Sequence, residues 1–317
     1  MSNVNGNPGT EGRGNIAPAT LNLPRLGILA KHDINKFFEL LDDRLLNARK
    51  SLLHRYDVLK QLKVKDLPFV AGQQLMVGTE GLDENDSIEP ILKQGTWGIG
   101  FIGLAETLVA LIGKHHGEDE EAKQLGLKII SHIREFCDKY KELDKLNWST
   151  YATPAEGLSS KFTVKDRETF GIIEGVTDKE YYTNSYHVPV GYGIGIQKKL
   201  EIEAPYHKLC NGGHISYIEF DDYPTQDQAM KVIKYAFTKT NIGYLGINFE
   251  IRYCKECGTY LHGEDICPHC GSTHIQGISR VTGYLSLTER FGQGKKCERN
   301  DRTAHNTKEH KHNYKQA

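Results

Sequence analysis

The stretch "CKECGTYLHGEDICPHCG" limits the fold more than any other part of the sequence, because it has to close around something. Cys254 and Cys257 form one pair and Cys267 and Cys270 a second, with nine residues between the pairs. In each pair a tight turn aims two thiolates at one point, and nine residues suffice for a short hairpin. Four thiolates suit tetrahedral zinc, which has no redox chemistry, and a closed four-ligand site is structural. His262 and His269 are rival ligands, but four thiolates already fill the shell. A glycine after each pair and a proline inside the second favour a zinc ribbon over four unrelated cysteines. A ribbon alone, often a nucleic-acid module, does not name a function.

The remainder of the chain is ordinary for a water-soluble protein with one large or two modest cores. Of the 317 residues, 38% are hydrophobic and 26% charged. A net charge of -1 argues against a surface built throughout for nucleic acid or anionic membrane. No apolar stretch approaches the roughly 18 residues of a membrane span. The start, "MSNVNGNPGTEGRGNIAP", has neither a basic lead nor an apolar signal core, so no export is expected. Seven cysteines, four of them in close pairs, suit a reducing compartment better than a disulfide framework. The cytoplasm is the expected location.

Along the chain, the first 18 residues read as loop, and "TLNLPRLGILA" (20–30) as a buried strand or strand end. From Asp33, apolar residues at three- and four-residue steps mark a long amphipathic helix capped by Asp33. Residues 67–78 read as strand and turn. "GTWGIGFIGLAETLVALIG" (95–113) reads as a strand running into a buried helix, and 119–143 as another amphipathic helix. The stretch 145–250 reads as short strands and turns, with a helix over 225–240. Strands alternating with long helices predict an α/β architecture. The basic end after Gly294 reads as solvated surface.

"RVTGYL" (280–285) has two readings: a turn glycine, or the radical-bearing loop of a glycyl radical enzyme. The chain as a whole favours the second. "GRGNIAPATLNLPRLG" (12–27), "IGFIGLAETL" (99–108), "TPAEGLSSKF" (153–162), "YYTNSYHVPV" (181–190), the four-cysteine ribbon and "RVTGYL" follow one family in order. Over nearly its full length the chain resembles the C-terminal part of the anaerobic (class III) ribonucleoside-triphosphate reductases. The resemblance implies the second half of a ten-stranded α/β barrel over 1–250, a zinc ribbon over 251–277, and a glycyl radical loop with basic tail over 278–317. Gly283 is then the radical store. Loss of a hydrogen from its α-carbon leaves a radical shared between amide nitrogen and carbonyl, and glycine alone leaves that centre unencumbered. The resemblance further implies a radical-SAM activating protein that installs the radical, formate or an external thiol system as reductant, nucleoside triphosphates as substrates, and a homodimer when complete.

For the site, the resemblance offers Asn15 as a ribose contact, with Asn22 as its rival, and the turn Thr153, Pro154, Ala155, Glu156 and Gly157 as a phosphate loop. A Thr-Pro turn at a helix start exposes backbone amides to anionic oxygens, although a plain helix-opening turn has the same look. Glu106 sits in a glycine-rich frame and reads as structural. His187, His207 and His214 read as hydrogen-bonded core histidines, and "GYGIG" (191–195) lacks the setting of a dinucleotide loop. One departure matters. The family's thiyl cysteine lies a few residues before the position where this sequence opens, and no cysteine precedes Cys137. Activity is therefore expected only with an upstream fragment that supplies that cysteine. The competing expectations are a formate-lyase-like glycyl radical protein or radical-bearing spare part, and a non-enzymatic zinc-ribbon binding module.

Overall fold

A computed structural model describes residues 3–280 and 283–306 of the chain. Strand β1 (Asn15–Asn22) leads into helices α1 (Leu23–Ala30), α2 (Ile34–Leu59) and α3 (Glu89–Gln94). Strand β2 (Thr96–Ile102) is followed by α4 (Leu104–Ile112) and α5 (Glu120–Asp144), and β3 (Asn147–Ala152) by α6 (Gly157–Phe170) and α7 (Ile196–Leu209). Then come β4 (Ser216–Glu219), α8 (Gln226–Lys239) and β5 (Leu245–Asn248). The first three strands pair in parallel in the order β1-β2-β3, and β4 pairs in parallel with β5. A parallel bridge from Tyr151 to Gly213 carries the pairing from β3 toward β4. Five parallel strands with helical crossovers thus form the expected half of a ten-stranded α/β barrel.

The helices start where side chains can satisfy the first free N–H groups. Asp33 accepts from the N–H of Lys36 at 3.0 Å, and Asp119 from Glu121 at 2.9 Å. Thr225 and Gln228 exchange hydrogen bonds as a capping box. The main core lies between β2 and the long helices: Trp97, Ile99 and Phe101 pack with Leu41, Leu45 and Leu52 of α2 and Ile129 and Ile133 of α5. A second core, built from Leu200, Ala204, Ile218, Val232 and Ala236, joins α7 and α8 to β4. The C-terminal part is an antiparallel sheet of β6 (Ile251–Cys254), β7 (Tyr260–Leu261), β8 (Ile275–Ser279) and β9 (Ser286–Leu287), in the order β7-β6-β8-β9. Helix α9 (Gln293–Asp301) follows. Among the described residues no helix is long and apolar enough to cross a membrane.

Several local expectations fail. The strand expected over 20–30 ends at Asn22, and Leu23 opens a helix whose first turn holds Pro24, where a missing N–H costs nothing. The Asn22 side chain caps it by accepting from the N–H of Arg25 at 3.2 Å. Residues 67–78 form turns without a strand, and 181–195 are irregular. Helices α6 and α7 occupy a stretch that reads as strands and turns. In α7 the buried Lys199, Glu203 and His207 are interleaved with the buried Leu200, Ile202, Ala204 and Tyr206, so no clean apolar stripe marks the helix in the sequence. The ribbon boundary expected at 277 falls inside β8, and β9 continues the same sheet.

Gly100 in β2 shows how closely these strands are fitted. The hydroxyls of Thr20 and Thr153 meet at 3.1 Å beside it, and a Cβ at Gly100 would land on Thr153 Oγ1. Gly100→Ala is therefore expected to cost about 1–3 kcal/mol in urea denaturation, and Thr153→Ala should recover part of that loss. An equal cost of Gly100→Ala in both backgrounds would contradict this packing.

Candidate functional site

The four cysteines converge. Their sulfurs all lie within 4.8 Å of one another, with Cys254–Cys270 and Cys257–Cys267 each at 3.5 Å. Tetrahedral zinc with Zn–S bonds near 2.3 Å sets its ligand sulfurs about 3.8 Å apart, so the arrangement fits that ion. Each pair is held by the same turn. The carbonyl of Cys254 accepts from the N–H of Gly258 and that of Cys267 from Gly271, both at 2.9 Å. Gly258 and Gly271 have φ of 73° and 72°, the left-handed conformation that glycine adopts without strain. Hydrogen bonds from the Thr259 hydroxyl and backbone pull the Cys257 thiol down to about 5. His262 and His269 stand outside the cluster.

The candidate radical loop leaves this sheet between β8 and β9. Val281 and Thr282 lie outside the described residues. Gly283, Tyr284 and Leu285 are exposed, and a Cβ at Gly283 would meet no atom within 4 Å. Packing against the described residues therefore gives no reason for glycine there. Arg280, at the loop's stem, donates to the Asn248 side chain at 3.1 Å, and its carbonyl accepts from Arg302 at 2.8 Å.

The turn 153–157 lies at the C-terminal end of β3, where α6 begins. The N–H of Ala155 donates to Asn184 Oδ1 at 2.6 Å. Glu156 accepts from Tyr284 Oη at 2.9 Å and pairs with Lys295 at 2.5 Å. Pro154 and Gly157 are exposed beside the helix start. The structure thus brings the two candidate elements, turn 153–157 and the 283–285 loop, into direct contact. Asn15 is not brought to them: it opens β1 opposite Thr96, roughly 23 Å along the strand from its far end. Asn22 stands at that far end, donating to Asp166 at 2.8 Å, and Tyr182 donates to the same carboxylate oxygen at 2.8 Å.

Other residues in this region carried little signal in the sequence. Glu106 is buried in the first turn of α4 and accepts from the N–H and hydroxyl of Thr183 at 2.8 and 2.7 Å. Burial pushes its carboxyl up, and it pins the irregular 181–190 segment, as a structural residue would. The tail expected to be solvated is folded as far as Asn306. There Arg302 is buried and pairs with Glu219 at 2.9 Å and Glu298 at 3.2 Å. Residues 307–317 lie outside the described residues. The i,i+4 spacing of Glu298 and Arg302 on α9 was the available signal. His207 is buried against Ser216 Oγ at 2.9 Å, and desolvation pushes it down to about 3. Cys137 and Cys210 are buried, and burial pushes Cys137 up to about 12 and Cys210 higher still, so neither thiol ionises readily.

A chain with this parallel α/β half-barrel and four-cysteine sheet superposes on solved anaerobic ribonucleotide reductases. One solved anaerobic ribonucleotide reductase superposes with a TM-score of 0.79 at 21% identity, over 97% of this chain and 47% of its own. That of Thermotoga maritima, solved with dATP and CTP, superposes with 0.72 at 22%, over 90% and 45%. The sequence family described as anaerobic ribonucleoside-triphosphate reductase matches residues 2–305, and the chain belongs to that family. The Escherichia coli K12 enzyme of that name is 36% identical over 320 residues, 96% of this chain and 44% of its own length. The phage T4 enzyme is 32% identical over 316 residues, 95% of this chain and 50% of its own. The chain thus spans about half the length of the curated relatives it matches. Family membership sets aside the formate-lyase-like and binding-module expectations.

Two measurements test this geometry. The purified chain should hold about one zinc per monomer, and Cys254→Ser with Cys267→Ser should abolish it; a folded, zinc-free wild type would contradict the site. The second concerns Glu298, which burial raises to about 7. A carboxyl raised on folding makes the native state bind the extra proton, so its contribution falls as pH rises from about 4.5 through 7. Glu298→Gln should remove that decline. Relative to wild type, the variant should gain about 1–3 kcal/mol between pH 5 and 8 in denaturant titrations, and a constant difference would refute the assignment.

Proposed function

We propose that this chain is the radical-storing, C-terminal portion of an anaerobic ribonucleoside-triphosphate reductase that converts ribonucleoside triphosphates to deoxyribonucleoside triphosphates. The carrying observation is Gly283, a glycine that no described residue crowds, in the family's "RVTGYL" sequence on a loop rooted in the four-cysteine sheet. In this reading 1–250 is the C-terminal half of the catalytic barrel, 251–277 the zinc ribbon, and 278–317 the glycyl loop and tail. Cys254, Cys257, Cys267 and Cys270 hold a structural zinc that fixes the loop's stem.

A radical-SAM activating protein removes a hydrogen atom from the α-carbon of Gly283, and the exposure of 283–285 suits that encounter. The stored radical then takes a hydrogen atom from a cysteine thiol, and the resulting thiyl starts reaction at the 3′ position of the ribose. Cys137 and Cys210 are packed into the main core and Cys297 lies on α9 against Gln293, and in this reading an upstream reductase fragment supplies that thiol. The backbone of Thr153–Gly157, at the start of α6, takes the substrate phosphates. Asn22, at the same end of the sheet, is better placed than Asn15 to meet a ribose. Formate or an external thiol system supplies the two electrons of the reduction. The complete enzyme is a cytoplasmic homodimer.

Gly283→Ala tests the reading. Because a Cβ there meets nothing, thermal stability should stay within about 0.5 kcal/mol of wild type. After anaerobic activation of the complete enzyme, the glycyl doublet in electron paramagnetic resonance should be absent from the variant and present in the wild type. A doublet surviving in Gly283→Ala would move the radical elsewhere.

A further inference from the structure

We propose that Glu156 is a positioning residue for the Gly283 loop, acting through Tyr284 and Lys295; the proposal rests on the reading of Gly283 as the radical position. The space beside Gly283 is open, and a Cβ there would meet no atom of the described residues within 4 Å. Its neighbour Tyr284, with an α-carbon about 3.8 Å away, donates its hydroxyl to Glu156 Oε2 at 2.9 Å. Lys295 Nζ reaches the same oxygen at 2.5 Å and lies over the rings of Tyr284 and Phe291, at 5.2 and 5.4 Å. One carboxylate oxygen therefore joins the loop tip, helix α9 and the start of α6.

The lysine is itself held in place. Its side chain is only 14% exposed, and the preceding Gly294 rests so closely on Ser160 of α6 that a Cβ would collide with it. Its charge answers a difficulty in the turn. An acidic residue inside an anion-binding turn would repel the phosphate that turn is proposed to hold, and Lys295 cancels that charge. Glu156 can then serve both sides. It stands in the turn that would fix the nucleotide and holds the residue next to the radical, so one side chain sets the spacing between them.

Hydrogen–deuterium exchange on the full chain tests the tether. Tyr284→Phe removes only the hydroxyl, from a residue that is more than half exposed, so folding is not at risk. Peptides covering 278–292 should exchange about three- to tenfold faster, with ribbon and barrel peptides unchanged. Glu156→Gln keeps an acceptor for Tyr284 and should have a smaller effect. Unchanged exchange in Tyr284→Phe overturns the proposal. In the activated enzyme, Tyr284→Phe should retain the glycyl doublet and the KM for nucleotide while kcat falls about tenfold or more. Faster exchange with unaltered kcat would reduce the contact to a surface tether and also overturn the proposal. No doublet in the wild type would instead overturn the radical reading beneath it.

Discussion

Arg302 is the residue on which the arrangement of the C-terminal region depends. It is among the largest fully buried side chains, and it reaches strand β4 through Glu219, its own helix through Glu298, and the stem of the glycine loop through the carbonyl of Arg280. A buried cation is tolerable only when its donors are met by fixed acceptors, and removing one partner typically costs about 3–5 kcal/mol. That asymmetry gives the contact its organising role. The folded tail cannot leave the barrel without stranding two carboxylates and a guanidinium away from water. Asn248 donates to Glu219 and accepts from Arg280, so β5 is drawn into the same network. The loop of Gly283 therefore hangs between a stem fixed to the barrel and a helix fixed to the barrel, while its tip stays open.

The ribbon does the complementary task. Its apolar core is only Cys254, Leu261 and Cys267, with Ile275 packed against it, too little to hold four short strands by burial alone. An ion held by the four thiolates would supply what the core lacks and would couple the order of that sheet to metal binding. The last ribbon strand before the loop, β8, also pairs with β9 just after it. A paired hairpin base thus carries the exposed residues Gly283, Tyr284 and Leu285, the arrangement the proposed encounter with an activating protein would need.

What was legible in the sequence follows from how each element is held. The four cysteines could be read because metal geometry imposes spacing within the chain. α2 and α5 could be read because long apolar stripes repeat toward one core, and β2 because its seven residues are all buried. α7 could not, since Lys199, Glu203 and His207 are buried among its apolar positions and, held by Lys199–Glu203 pairing and by Ser216, they break the apolar pattern. The folded tail was misread for a similar reason. "KKCERNDRTAH" looks like a solvated surface until Glu219, more than eighty residues upstream, supplies the charge that Arg302 needs. Charges that pair locally leave a pattern, and charges that pair across the fold do not.

The same distinction separates the glycines. Gly258 and Gly271 are required by backbone angle, and Gly100 by the side chains that crowd it; each explanation lies in the folded state alone. At Gly283 no described residue crowds the position, so packing does not ask for glycine there. The reading of Gly283 as the radical store offers another reason: something the α-carbon does, or something that must approach it closely. Both fit a loop whose base is fixed twice over and whose tip is held by Glu156 beside the turn proposed for phosphate. The fold spends its rigidity on placing that α-carbon and leaves the atom itself bare.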